Sequence, residues 1–120
     1  MERAYQLNSE ILRSLIPRNQ LGVYMLGNRI LGGFDPIYVG RSDVCLLTRL
    51  LNHNHKEQAT YVVWRFTSSP RQAFYQECCL YHTYEEQGFL NSVHPASPKE
   101  SKLACPICSY TEIDIKNIIQ

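Results

Sequence analysis

Apolar positions in this chain come in short clusters set apart by Gly, Pro, Asn and Ser, and each cluster predicts one short element. Asn8 to Leu15 reads as a helix, with Asn8 or Ser9 as its cap and Pro17 as its stop. Leu21 to Leu26 predicts a strand, Asn28 to Asp35 with Gly32-Gly33 a loop, and Pro36 to Gly40 a second strand, so the pair suggests a hairpin. Between Cys45 and Asn52 the leucines at 46, 47, 50 and 51 mark one face of a helix, capped by Ser42 or Asp43. Ala59 to Thr67 is rich in β-branched and aromatic residues and predicts a strand. Ser69-Pro70 then caps and starts a second long helix, which runs to about Glu86 and stops near Gly88. The sequence after Ser92 is Pro- and Ser-rich and irregular, with Tyr110 to Ile119 as a short closing element.

This order lacks the strict strand–helix alternation of a doubly wound sheet. It predicts an α/β chain of the α+β type: a small, mostly antiparallel three-stranded sheet flanked by helices. Three regions are expected: an N-terminal helical extension (1–20), a central domain (21–95) and a C-terminal tail packed on it (96–120).

Composition agrees with a folded domain. A chain of 120 residues can bury roughly two-thirds of its unfolded surface. Its 44% hydrophobic and 19% charged residues argue against disorder and against collagen-like or coiled-coil sequence. No apolar run has the length of a membrane span, and the first residues lack a signal-peptide pattern, so a cytoplasmic location is expected. Net charge is +1, unevenly divided: Met1 to Arg71 holds nine basic against five acidic residues, and Gln72 to Gln120 three against six. That excess is too modest to nominate nucleic acid by itself.

Four features bear on chemistry. Tyr24 and Tyr38 stand equally far from the middle of the hairpin loop, so a symmetric hairpin puts them on one face. By themselves, Tyr24 and Tyr38 read first as two half-buried tyrosines packing a sheet, since aromatics are common in strands. Arg49 and His53 are four residues apart, on a helical face bordering the leucine stripe. An arginine there can lay its stem on the core and offer its guanidinium to phosphate. Glu77 falls on the same helical face as Ala73, Leu80, Tyr81 and Tyr84. A carboxylate on so apolar a face calls for a partner, either a divalent cation or an arginine such as Arg49.

Taken together and in order, these residues resemble the GIY-YIG nuclease family. Gly22-Val23-Tyr24 and Tyr38-Val39-Gly40 stand for its two tripeptides, each with Val for Ile. Arg49 matches the helical arginine that follows, His53 a histidine found in some members, Glu77 the metal-binding glutamate, and Asn91 an asparagine beyond that helix. The likeness runs from about Gly22 to Pro95, and the Gly40 to Arg49 segment is one residue longer than the common spacing. What the resemblance implies is a divalent-metal-dependent DNA endonuclease of repair or recombination type. Glu77 would hold Mg²⁺ or Mn²⁺, and Arg49 would stabilise charge on the phosphate. Tyr24 would take the proton of the attacking water, with Tyr38 and His53 in support. Arg41, Ser42 and Asn91 would contact substrate. The alternative is the same fold with its chemistry lost, a DNA- or protein-binding module; a third reading is a small zinc-stabilised interaction protein. Family domains often rely on a separate specificity domain or partner protein, which 1–20 and 96–120 are too short to supply.

Five cysteines and no leader argue against a secreted disulfide framework. Cys105-Pro-Ile-Cys108 has the spacing of half a structural zinc site. His94, Cys79, His82 and Cys78 are candidates for the missing ligands, and we place His94 and Cys79 there. The pair lacks the strand-to-helix setting of a redox dithiol.

Overall fold

The computed structural model describes residues 3–53, 58–88, 91, 93–99 and 101–109. Chain order is strand β1 (Tyr5–Gln6), helix α1 (Ser9–Leu15), strands β2 (Leu21–Ile30) and β3 (Gly33–Ser42), helix α2 (Leu46–Leu51), strand β4 (Tyr61–Thr67) and helix α3 (Pro70–Tyr84). One 3₁₀ turn, Glu85–Gln87, extends α3 and ends at Gly88 in the left-handed region (φ 79°). The closing element expected over Tyr110 to Ile119 lies outside the described residues.

The α+β class is as expected, but the sheet has four strands, in the order β1-β4-β2-β3, every pair antiparallel. The added strand is β1, in which Tyr5 and Gln6 pair with Val62 and Tyr61. Two residues are too few to show an alternating pattern. Helices cover both faces. Tyr24, Leu26 and Val62 meet Leu12 and Ile16 of α1 and Leu46, Leu47 and Leu50 of α2. On the other face, Met25, Val39 and Val63 meet Leu80, Tyr81 and Tyr84 of α3. Residues 5–16 therefore join the sheet and core directly.

Helix starts follow local chemistry. Asn8 Oδ1 accepts from Glu10 N at 2.9 Å and Ile11 N at 3.2 Å. Ser69 Oγ accepts from Gln72 N at 3.1 Å, ahead of Pro70. At α2 the cap position is Cys45, and Ser42 Oγ instead closes the preceding turn by accepting from Cys45 N at 2.9 Å.

The hairpin is longer than its glycines and proline suggest. β2 and β3 run to Ile30 and from Gly33, leaving Leu31-Gly32 as the turn, with Gly32 at φ 89°. Pro36 is accommodated because β3 is an edge strand. Next to it lies a β-bulge. Gly27 pairs with Pro36 but Leu26 pairs with Tyr38, so Ile37 is the extra residue.

Candidate functional site

The bulge decides which side Tyr38 takes. The turn register pairs Ile30 with Gly33; carried on unbroken, it would set Tyr38 opposite Met25 on the α3 face. The extra residue shifts the ladder by one, and a shift of one moves every later side chain to the other face. Tyr38 thus lies opposite Leu26, on the face of Tyr24, and the two rings stack with centroids 6.2 Å apart. A symmetric hairpin predicts the same meeting, but the structure reaches it through the bulge.

Each tripeptide glycine has a packing reason. A Cβ on Gly40 would lie 2.5 Å from Tyr24 Oη and 2.6 Å from its Cζ, so the Tyr24 ring crosses the edge strand where only glycine leaves room. A Cβ on Gly22 would lie 2.6 Å from the Arg65 carbonyl oxygen on β4.

Around the tyrosines sit His53 and Arg49. His53 is edge-on to both rings, with centroids 5.4 Å from Tyr24 and 4.6 Å from Tyr38. It does so from beyond α2, which ends at Leu51, and not from a further helical turn as the spacing predicts. Arg49 Nε donates to Tyr24 Oη at 3.4 Å, and its guanidinium also bonds Tyr38. Tyr24 is 1% exposed, whereas Arg49 is exposed. Burial pushes the Tyr24 phenol above the ordinary tyrosine range, and Arg49 pulls it back only in part. The hydroxyl therefore stays protonated at neutral pH.

Glu77 approaches from the other face of the sheet, on α3. It is 7% exposed, and Arg41 Nη1 donates to its Oε1 at 2.5 Å. Arg41 Nε also donates to Asp43 Oδ1 at 2.9 Å, and the guanidinium lies 5.3 Å from the Phe74 ring centroid. Arg41 is thus the internal partner of Glu77, a role the motif did not assign to it. Burial raises the Glu77 carboxyl above its ordinary value, with Arg41 opposing. The Glu77 charge adds slightly to the upward shift of the Tyr24 phenol, after burial and the nearer Tyr38 and Arg49.

The other expected substrate contacts have local duties. Asn91 spans the edge of β3: its Oδ1 accepts from Val39 N at 2.9 Å and its Nδ2 donates to Val39 O at 2.8 Å. Ser42 caps its own turn, yet also lines an open groove of about 690 Å³ with Arg13, Arg18, Thr48 and Arg49. Neither Arg13 nor Arg18 was singled out by motif; the groove between the α1–β2 connection and α2 brings them beside Arg49. A larger hollow, about 950 Å³, lies by the hairpin turn and is lined by none of the motif residues.

A second cluster lies at the far end of α3. Side-chain donor atoms of His82, His94, Cys105 and Cys108 all fall within 4.8 Å of one another, an arrangement able to hold a metal ion. Cys79, expected among these ligands, is exposed and lies outside the group. Its neighbour Cys78 faces inward against Phe74 and Cys105. His82 is one helical turn beyond Cys78 on that same face, which is the signal that distinguishes it from Cys79.

No family model matches the chain, and no curated protein or solved structure matches it. Among the described residues, no helix is long and apolar enough to cross a membrane.

Proposed function

We propose that this chain is a divalent-metal-dependent DNA endonuclease of the GIY-YIG type. The observation that carries the reading is the convergence of Tyr24, Tyr38, Arg49 and His53, with the buried Glu77 carboxylate within electrostatic reach. These residues come from β2, β3, α2 and its exit, and α3, and simple packing does not require them to meet.

Glu77 fits the expected cation. It is a carboxylate at a polar edge of the core, Oε1 is shared with Arg41, and Oε2 takes no hydrogen bond among the described residues. Mg²⁺ is commonly held by one or two carboxylates and substrate phosphate oxygens. Bound there, Mg²⁺ or Mn²⁺ would offset negative charge on the scissile phosphate. Arg49, the exposed member of the cluster, places a permanent positive charge where a phosphate in the groove would lie. Tyr24 accepts a hydrogen bond from Arg49 and keeps its own O–H, so its role at rest is to orient the attacking water. Proton removal by Tyr24 requires positive charge sufficient to reverse its burial. His53 and Tyr38 hold its ring in place.

Two observations favour the second reading, a binding module with its chemistry lost: Tyr24 is almost wholly enclosed, and Arg41 already satisfies one oxygen of Glu77. Nicking of supercoiled DNA with and without Mg²⁺ or Mn²⁺ separates the two. We expect metal-dependent cutting by the wild type, abolished in Glu77→Gln. Tyr24→Phe should cut about 100-fold or more slowly, the usual size of a lost acid–base or positioning group. DNA binding without cutting by the wild type would establish the module instead. Full activity in Glu77→Gln would remove that residue from the chemistry.

A further inference from the structure

Both histidines of the far cluster have their outer ring nitrogen occupied by an acceptor. His94 Nδ1 lies 2.8 Å from the Pro95 carbonyl oxygen, and His82 Nδ1 lies 3.3 Å from Glu85 Oε2. A carbonyl oxygen can only accept, so His94 Nδ1 carries the proton, and the Glu85 carboxylate beside His82 Nδ1 favours the same tautomer there. Each neutral ring then has its lone pair on Nε2, and these two atoms face one another at 3.2 Å. Two lone pairs so placed repel unless a proton or a cation lies between them. Cys108 Sγ adds a third donor 3.5 Å from His94 Nε2. The fourth is Cys105, whose sulfur accepts from Ile107 N at 3.4 Å in the Cys-Pro-Ile-Cys turn. All the cysteines are free thiols.

We propose that His82, His94, Cys105 and Cys108 form a structural zinc site that fastens the C-terminal segment to α3. Two of the spacings already fit the ion, within a set of donors that spans up to 4.8 Å. Zinc bonds nitrogen at about 2.0–2.1 Å and sulfur at about 2.3 Å, so a tetrahedron has N···N edges of about 3.3 Å and N···S edges of about 3.5 Å. The 3.2 Å and 3.5 Å separations in the cluster match those edges. The donor set of two imidazoles and two thiols suits zinc and not the hard cations expected at Glu77. Four protein ligands leave no open position, which makes the site structural. The surroundings are also those of a metal centre: histidine ligands normally turn their other ring nitrogen to a carbonyl or carboxylate, and here His94 Nδ1 bonds the Pro95 carbonyl and His82 Nδ1 lies 3.3 Å from Glu85 Oε2. The turn supports the sulfur end, with Ser109 N donating to Cys105 O at 2.9 Å and Ser109 in the left-handed region at φ 64°.

What the ion would join is a segment that already packs on the domain, with Pro95, Pro98 and Cys105 buried. Cys105 is buried against Phe74 and Cys78, and Leu103 packs beside them; that small cluster is separate from the two cores on the sheet. A site built from α3 and the segment after it closes a loop across the helix and would add its binding energy to folding.

The test is metal content of the full chain purified from zinc-supplemented cells without chelators, by elemental analysis and native mass spectrometry. We expect close to one zinc per chain in the wild type and in Cys79→Ser, and its loss in His94→Ala and Cys108→Ser. Glu85→Gln should retain the site with roughly 10–100-fold weaker affinity, as for other outer partners of metal ligands. Because a ligand variant can fail to fold, Co²⁺ is also exchanged into the wild type. Thiolate-to-cobalt charge-transfer bands with the intense visible absorption of a tetrahedral site support the assignment. Wild type without zinc and without those bands, or both ligand variants retaining full zinc, overturns it.

Discussion

Gly40 shows how much a single missing side chain can decide. The atom a Cβ would strike is the hydroxyl of a tyrosine that is itself enclosed, so the ring has nowhere to go. Gly40→Ala should cost about 1–3 kcal/mol, the usual range for overpacking, and should displace the Tyr24 hydroxyl from Arg49. Gly33→Ala is the control, since a Cβ there meets nothing within 4 Å. Its stability should change by less than about 0.5 kcal/mol. Urea unfolding of both variants reads the difference. At this scale the sequence was informative about identity and silent about reason. Two glycines beside two tyrosines could be read directly, but the contact that excludes a Cβ is between strands. The partner of Glu77 was open for the same reason. Arg41 and Arg49 lie on neighbouring stretches of chain, and only the sheet face assigns Arg41 to α3.

Between elements, the Arg41–Glu77 pair ties the edge strand β3 to α3 in a place where both side chains are nearly buried. Removing one partner of such a pair strands the other, at a cost of about 3–5 kcal/mol, whereas replacing both with apolar groups costs far less. Arg41→Met and Glu77→Leu should each destabilise strongly, and the double variant less than the sum of the two, in a denaturant double-mutant cycle. The pH dependence has a definite sign. Burial raises the Glu77 carboxyl in the folded state above its ordinary 4.5, so the folded state binds the proton more tightly than the unfolded chain. That contribution is complete below 4.5 and is lost as pH rises through the raised folded value. Relative to Glu77→Gln, the wild type should therefore lose stability as pH climbs from 4.5. Element starts set by local caps, at Asn8 and at Ser69-Pro70, were legible because the signal and the structure share the same few residues. β1 and the outer halves of the hairpin were not. The first is two residues long, and in the second Gly32, Gly33 and Pro36 signal a loop that an edge strand absorbs.

Over the whole molecule, the fold sorts its charge by position more than by amount. Arg13 and Arg18 flank the end of α1, and the chain's return through α2 sets them beside Arg49 along one groove. If DNA lies there, Arg13→Ala and Arg18→Ala should each weaken binding uniformly across sequences. Each should also lower the slope of log K against log salt by about 1, measured by fluorescence anisotropy over a salt series. The overall balance of +1 gives no hint of this, because a groove is assembled by the fold from residues that composition merely counts. The cysteine pair at 105 and 108 was readable for the opposite reason, being a local spacing, while its helical partner depended on which face of α3 turns inward. The amide of Asn91 has a consequence at this scale too. β3 borders the sheet, and an exposed border strand invites a second chain to continue the ladder. Asn91 occupies both backbone groups of Val39, Ile37 bulges out of register, and Pro36 has no N–H to offer. The border that carries Tyr38 and Gly40 is thereby a poor template for intermolecular β-pairing, and the features that shape the site also guard the protein against aggregation along it.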